Sequence, residues 1–231
     1  MRDGGSRPPP RALPVAAVLF DLDGTLADTA GDLAGALNRV RADRGLAPVP
    51  VAALRAHASS GARGLLGAGL DVAPDHPDYP ALREAFLAYY AAGLDVTTRL
   101  FDGVAAMLDA LDARKLRWGV VTNKAQRYTE PVVAALGLAH RAAVIVSGDT
   151  TAHPKPHPAP LLHAAQEVGV APAACVYVGD DLRDVVAGNS AGMATLVAEY
   201  GYLGESGSSE GWPATGWIAQ PLDLLAWLPT A

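Results

Sequence analysis

The chain has 231 residues, 50% of them hydrophobic and 18% charged, a balance that excludes a disordered chain and supplies a core for one large domain or two modest ones. Eighteen basic residues against 24 acidic ones leave a net charge of −6, which argues against nucleic acid or an anionic membrane as the main partner. A single cysteine, Cys175, excludes an internal disulfide framework and a cysteine-based zinc site, and its apolar neighbours place it in the core.

In chain order, residues 1–13 are rich in Gly, Pro and Arg and read as a mobile tail. Val15–Phe20 is an apolar run too short for a membrane span. It meets Asp21 at once, and no signal-peptide pattern precedes it, so a soluble cytoplasmic protein is expected. Residues 29–98 then carry helical patterns at Ala30–Arg44, Val51–Ala58 and Pro80–Ala92, a loop at Ala73–Pro80 and no buried strand. That span is too long for one crossover. It reads as a helical cap domain inserted into a core made of residues 14–28 and 99–231. Within the core, helical stretches at Val104–Lys115, Thr129–Leu138, Pro158–Val168 and Asp181–Ala191 alternate with apolar runs at Trp118–Val121, Ala142–Val146, Cys175–Val178 and Ala194–Val197. Short, continuously apolar runs are expected of parallel strands buried on both faces. The fold class is therefore α/β, a Rossmann-like parallel sheet with helices on both sides and an inserted cap. Trp212, Trp217 and Trp227 are expected to pack the C-terminal segment rather than bind ligand.

In open parallel sheets, sites form beyond the carboxyl ends of the strands. Here the first strand runs into Asp21-Leu22-Asp23-Gly24-Thr25, the second into Thr122-Asn123 and the fourth into Gly179-Asp180-Asp181, while the loop after the third carries His153-Pro154-Lys155-Pro156. Converging carboxylates repel each other and lose hydration, a cost that a divalent cation relieves. All-oxygen ligands point to Mg2+, and a cation beside a lysine suits a phosphate dianion. Of the two carboxylates in Asp21-Leu22-Asp23, one can attack phosphorus and the other can exchange a proton with the leaving oxygen. Gly24 permits a sharp turn whose N–H groups can hold phosphate oxygens, and Thr122 and Asn123 can donate to the same oxygens. Lys155 neutralises charge throughout the transfer. Only three of the 18 basic residues are lysines (Lys115, Lys124 and Lys155), a hint that a compact ammonium is needed where one occurs. Lys124 nevertheless reads as a solvated residue at a helix start, Asp28 as a helix N-cap, and His153 and His157 as loop histidines.

The segments DLDGTLAD (21–28), VVTN (120–123), HPKP (153–156) and VGDDLRD (178–184), in this order and each after a strand, resemble the four motifs of the haloacid dehalogenase superfamily. The resemblance runs from residue 15 to about residue 200 and is nearest to the phosphoglycolate phosphatase-like branch. SSGAR (59–63), WGVVTNK (118–124), GDDLRD (179–184) and YGYL (200–203) are also similar to bacterial N-acetylmuramic acid 6-phosphate phosphatases. The resemblance implies that Asp21 is the nucleophile, forming an aspartyl-phosphate, and that Asp23 is the acid/base, its carbonyl a Mg2+ ligand. It implies Asp180 as a further carboxylate ligand beside Asp21, Thr122 and Asn123 as the phosphate-holding pair, Lys155 between nucleophile and phosphate, and Asp184 as a supporting acid. Asp181 stands where relatives often carry Ser and is placed with the supporting acids. The implied activity is Mg2+-dependent hydrolysis of a small phosphorylated metabolite by a monomer or homodimer, with N-acetylmuramic acid 6-phosphate as the alternative substrate to phosphoglycolate.

Discrimination is expected from the cap, where Ser59–Arg63 reads as a loop reaching over the site. Ser60 and Arg63 are its candidate specificity residues, and a guanidinium binds a carboxylate through two parallel hydrogen bonds, so the substrate is expected to carry a carboxylate. Three other chemistries share part of the pattern. A receiver-type signalling module lacks a cap and an acid two residues after the phosphorylated Asp. A haloalkanoic acid dehalogenase needs neither that second Asp nor Mg2+. A phosphosugar mutase returns phosphate to a sugar rather than to water.

Overall fold

Ala17–Phe20 forms β1, four apolar residues with no exposed surface, in a six-stranded sheet. The computed structural model describes residues 10–205 and 207–229, so most of the tail read at 1–13 lies outside the described residues. Leu13, its last member, is buried and donates its N–H to the Trp227 carbonyl at 2.8 Å. Alternate residues of β1 serve the two faces of the sheet: Val18 and Phe20 join one apolar cluster, Ala17 and Leu19 the other.

After β2 (Ala27–Asp28) the chain leaves the sheet. It forms α1 (Ala30–Asp43), α2 (Val51–Leu54), a 3-10 segment (Arg55–Ser60), α3 (Gly61–Leu70) and α4 (Tyr79–Ala91), and returns through β3 (Arg99–Leu100), antiparallel to β2. The four helices bury Leu37, Leu54, Leu65, Leu66 and Phe86 in a second apolar cluster, which Tyr128 and Tyr202 also join. Exit and return are tied by Asp32, whose carboxylate accepts bonds of 2.7–3.0 Å from the N–H and hydroxyl groups of Thr97 and Thr98. The sequence reading missed α3. Four glycines in GARGLLGAGL lower its helix propensity, each by about 1 kcal/mol relative to Ala, and burial of Leu65 and Leu66 overrides them. Gly69 also lets α1 approach, since a Cβ there would collide with the Leu37 side chain.

The remaining chain alternates α5 (Val104–Ala113), β4 (Arg117–Val121), α6 (Gln126–Ala135), β5 (Val144–Val146), α7 (Ala159–Glu167), β6 (Cys175–Gly179), α8 (Leu182–Ser190), β7 (Ala194–Ala198) and β8 (Gly216–Ile218). The sheet order is β5-β4-β1-β6-β7-β8, with every pair parallel. From β1 the chain winds outward through β4 and β5, then crosses to build β6, β7 and β8 on the other side. The order therefore reverses at β1, and the crevice beyond its carboxyl end is where such sheets bind ligands. Helices α5 and α6 cover the face of Val18 and Phe20; α7 and α8 cover the face of Ala17, Leu19 and the buried Cys175.

Three boundaries differ from expectation. β8 is a sixth strand of three residues, too short to stand out in the sequence. α6 begins at Gln126 rather than Thr129 and continues through Pro131, which lies inside it. Asp28 lies in β2 and does not cap α1. The free N–H groups of Thr29 and Ala30 instead bond to the Tyr202 hydroxyl at 2.8 and 3.1 Å, while Asp28 accepts from Arg55 at 3.0 Å. Among the described residues, no helix is long and apolar enough to cross a membrane.

Candidate active site

β1 delivers Asp21 to the carboxyl edge of the sheet, where its N–H continues the ladder to the Val178 carbonyl at 2.9 Å and its Oδ1 accepts the Leu22 N–H at 2.8 Å. The chain then reverses, with the Leu22 carbonyl accepting from Thr25, Leu26 and Ala27. Gly24 takes φ +87° in this turn, and a Cβ there would strike the Asp180 carboxylate. Glycine thus meets two needs at one position, a left-handed backbone and close approach to an acid from β6.

Lys155 is the hub. Its side chain is 2% exposed, and Nζ lies 2.9 Å from Asp21 Oδ1 and 2.7 Å from Asp184 Oδ1. Nζ also contacts the Val121 carbonyl at 3.0 Å and the Tyr177 hydroxyl at 2.6 Å. Asn123 positions the lysine's backbone from both sides, its amide donating to the Lys155 carbonyl at 2.8 Å and accepting the Lys155 N–H at 2.9 Å. The Asn123 side chain expected on phosphate is therefore occupied in holding Lys155. Burial works against the charged ammonium, yet Asp184 and Asp21 outweigh it and raise Lys155 above the usual lysine range.

Asp21, Asp180 and Asp184 are all buried, with carboxylate oxygens within 4.8 Å of one another. Burial pushes the Asp21 carboxyl up to about 7, against the pull of Lys155 and with repulsion from Asp184 and Asp23 added. Burial and repulsion from Asp21 and Asp184 hold Asp180 well above the usual range, although Thr25 Oγ1 and the Tyr202 N–H donate to it at 3.0 and 2.9 Å. Asp184 spends Oδ1 on Lys155 and Oδ2 on the Asp181 N–H at 3.1 Å. Asp181 lies outside this group of three. It caps α8, accepting the Arg183 N–H at 2.9 Å, and pairs with the Arg183 guanidinium.

Asp23 is held by two groups. Its Oδ1 accepts from Thr29 Oγ1 at 2.5 Å and from Lys124 Nζ at 2.7 Å. This corrects the reading of Lys124 as a solvated residue: its side chain is 8% exposed and Nζ lies 4.9 Å from the Tyr90 ring centroid of α4. Burial opposes its charge, and Asp23 more than restores it. The scarcity of lysine was the available signal, and it applied to Lys124 as much as to Lys155. His153 and His157 are exposed loop residues, as expected, with their ring centroids 4.7 Å apart and the rings tilted to each other.

A cavity of about 330 Å3 opens over Asp21 and Asp23, with Thr122 and Asn123 at its base and Ser60 and Arg63 on its wall. Ser59–Arg63 is not a loop; it passes from the 3-10 segment into α3, with Gly61 at φ +54°. The helical layer is fastened over the site by Arg183, which donates to the Ser59 carbonyl at 2.9 Å. The sequence reading also passed over Arg83 of α4 and Arg127 of α6, which line the same cavity. No motif marks them; only the folding of α4 over α6 brings them together.

Residues 18–198 match the haloacid dehalogenase-like hydrolase family. Over 219 residues, 93% of this chain and 96% of the relative, the sequence is 44% identical to a phosphoglycolate phosphatase of Xanthomonas campestris. It is 39% identical over 209 residues, 90% of this chain and 92% of the relative, to an N-acetylmuramic acid 6-phosphate phosphatase of Pseudomonas aeruginosa. The crystal structure of a predicted phosphoglycolate phosphatase from Haemophilus somnus superposes with a TM-score of 0.81 at 27% identity, covering 92% of this chain and 97% of that one.

Proposed function

The chain belongs to the haloacid dehalogenase-like hydrolase family, and on that premise we propose that it is a Mg2+-dependent phosphatase that cleaves a small phosphorylated metabolite by way of a phosphoryl group carried on Asp21. The observation that carries this reading is Lys155 Nζ, buried between Asp21 and Asp184 beside Asp180 and beneath a cavity that Asp23 also borders.

Mg2+ fits the residues present. Three buried carboxylates with oxygens within 4.8 Å, two of them pushed upward by burial and mutual repulsion, form the all-oxygen donor set that a hard divalent cation satisfies. Asp21, Asp180 and the Asp23 carbonyl would hold it. Asp184 Oδ1 lies 2.7 Å from Lys155 Nζ and its Oδ2 accepts the Asp181 N–H, so in this reading Asp184 orients the lysine. Bound there, Mg2+ supplies positive charge that offsets the carboxylates and the substrate phosphate.

In this reading an Asp21 oxygen forms a bond to phosphorus as the ester P–O bond breaks, and Asp23, entering the step protonated, gives that proton to the departing oxygen and is left as a carboxylate. Asp23 then takes a proton from a water molecule that attacks the same phosphorus, releasing inorganic phosphate and restoring Asp21. Lys155 neutralises charge on the phosphoryl oxygens in both halves, and the Thr122 hydroxyl and the turn at Gly24 supply donors. The helical layer α1–α4 serves as a cap that keeps bulk water from the phosphoenzyme.

Phosphoglycolate is one candidate substrate and N-acetylmuramic acid 6-phosphate the other. Both carry a carboxylate, and Arg63 on the cavity wall suits one close to the phosphate. The test is kcat/KM across a panel of phosphorylated metabolites containing both, with Mg2+ and with EDTA. Turnover that survives EDTA in full, or a panel that is not hydrolysed, would reject the reading.

A further inference from the structure

We propose that Arg83 and Arg127, on opposite sides of the seam between the cap helix α4 and the core helix α6, form a second anion subsite that reads a carboxylate or phosphate carried several atoms from the phosphate being cleaved. The proposal rests on the phosphatase reading above and narrows its substrate class.

The charge inventory of the cavity is the starting point. Two acids line it, Asp21 and Asp23, against five basic residues, Arg63, Arg83, Lys124, Arg127 and Arg183. Lys124 is engaged by Asp23, and Arg183 by Asp181 and the Ser59 carbonyl. Arg63, Arg83 and Arg127 have no ion pair or hydrogen bond among the described residues. In the phosphatase reading Lys155, 2.9 Å from Asp21, already serves the phosphate at the inner end. Three exposed guanidiniums, opposed only by Glu84 in the cleft that adjoins the cavity, are a local excess in a chain of net charge −6, and it matches an anion beyond the phosphate.

Position separates the three. Arg83 and Arg127, with Tyr79, Leu87 and Tyr128, also line an adjoining cleft, whereas Asp21, Asp23, Thr122 and Arg63 border the inner cavity alone. The Arg83–Arg127 pair therefore stands at the outer end, away from the reacting carboxylates. Arg127 is held in place there, its guanidinium carbon 4.7 Å from the centroid of the buried Tyr128 ring. Two guanidiniums from separate elements can grip one carboxylate or phosphate through parallel hydrogen bonds. A two-carbon acid keeps both its anions at the inner end. A ring-sized spacer would carry the second anion outward along Tyr128, and about 330 Å3 lies in the range of roughly 300–1,000 Å3 typical of sites that enclose such ligands.

A matched pair of substrates tests this on the full chain with Mg2+. N-acetylglucosamine 6-phosphate and N-acetylmuramic acid 6-phosphate share the ring and the phosphate and differ in the lactyl carboxylate. A hexose 1,6-bisphosphate presents phosphate as the second anion, and phosphoglycolate presents a carboxylate on a short spacer. The wild type should favour the muramic ester over its neutral partner by about 10²-fold in kcat/KM, chiefly through KM. Arg83→Gln with Arg127→Gln should bring that ratio close to one. The neutral ester, measured in the same variant, reports whether the site is still formed. Preference for the bisphosphate, equally lost in the double variant, would support the subsite with phosphate as its ligand. An unchanged muramic-to-neutral ratio in the double variant, or an equal fall in the phosphoglycolate-to-neutral ratio, would overturn the subsite while leaving the phosphatase reading intact. A wild type that cleaves none of these esters would overturn both.

Discussion

Replacing Lys124 by Met removes one of the two groups that hold the Asp23 carboxylate. Lys124 Nζ lies 2.7 Å from Asp23 Oδ1, with the two side chains 8% and 13% exposed, so the bond is charge-assisted and largely shielded from water. Thr29 Oγ1 still donates to the same oxygen in the variant, at 2.5 Å in the wild type. The loss is therefore that of one bond to a charged group, about 1.5–3 kcal/mol, rather than that of a wholly unpartnered buried charge. If all of it is lost from the transition state, the rate falls by roughly 10- to 150-fold. Because Asp23 is proposed to protonate the leaving oxygen, the loss should appear in kcat with an alkyl phosphate. It should be much smaller with para-nitrophenyl phosphate, whose leaving group needs no proton. Lys124→Arg should recover part of it. An equal loss on both esters would mean that Lys124 serves folding or phosphate binding, and no loss on either would refute its role in holding Asp23.

The other predictions concern the acids and the turn. In the metal-free protein Asp21 and Asp180 bind protons more tightly than their unfolded value of 3.8. The share of Asp21 in stability is full below that value and is lost as pH rises through about 7, and Asp180 acts in the same direction, so Mg2+ should raise Tm more at pH 7.5 than at pH 5; equal increments would contradict the donor set. Asp184→Asn weakens the 2.7 Å support of Lys155 and should lower kcat by roughly 10- to 100-fold, while Asp181→Asn, which loosens Arg183, should cost less; the reverse order in steady-state kinetics would exchange their roles. Gly24→Ala combines φ +87° with a clash against Asp180, and calorimetry should show weakened Mg2+ binding. Unchanged affinity would show that this turn does not set the position of Asp180.

The sequence spoke most clearly where chemistry and periodicity coincide. Continuously apolar runs identified five of the six strands, because burial on both faces leaves no polar positions to blur the pattern. Residues at strand ends were legible for the same reason: Asp21, Thr122 and Asp180 each follow an unambiguous run. Signals failed where tertiary contact overrode local preference. The glycines of α3 disguised a helix that packing stabilises, and Tyr202, distant in sequence, took over the capping expected of Asp28. Lys124 was misread because its partner Asp23 is 101 residues away, and nothing local distinguishes a buried lysine at a helix start from a solvated one. Arg83 and Arg127 lie on separate elements that meet only when α4 folds over α6.

The central claim is that Asp21 carries the phosphoryl group, and rapid quenching tests it most directly. Enzyme mixed with Mg2+ and a hydrolysed ester, stopped in acid within one turnover and mapped by peptide mass, should hold one phosphoryl group on the peptide containing Asp21. Asp21→Asn should show neither that adduct nor turnover. Active enzyme with the phosphoryl group on another residue, or an Asp21→Asn variant that still turns over at near wild-type rate, would contradict the account.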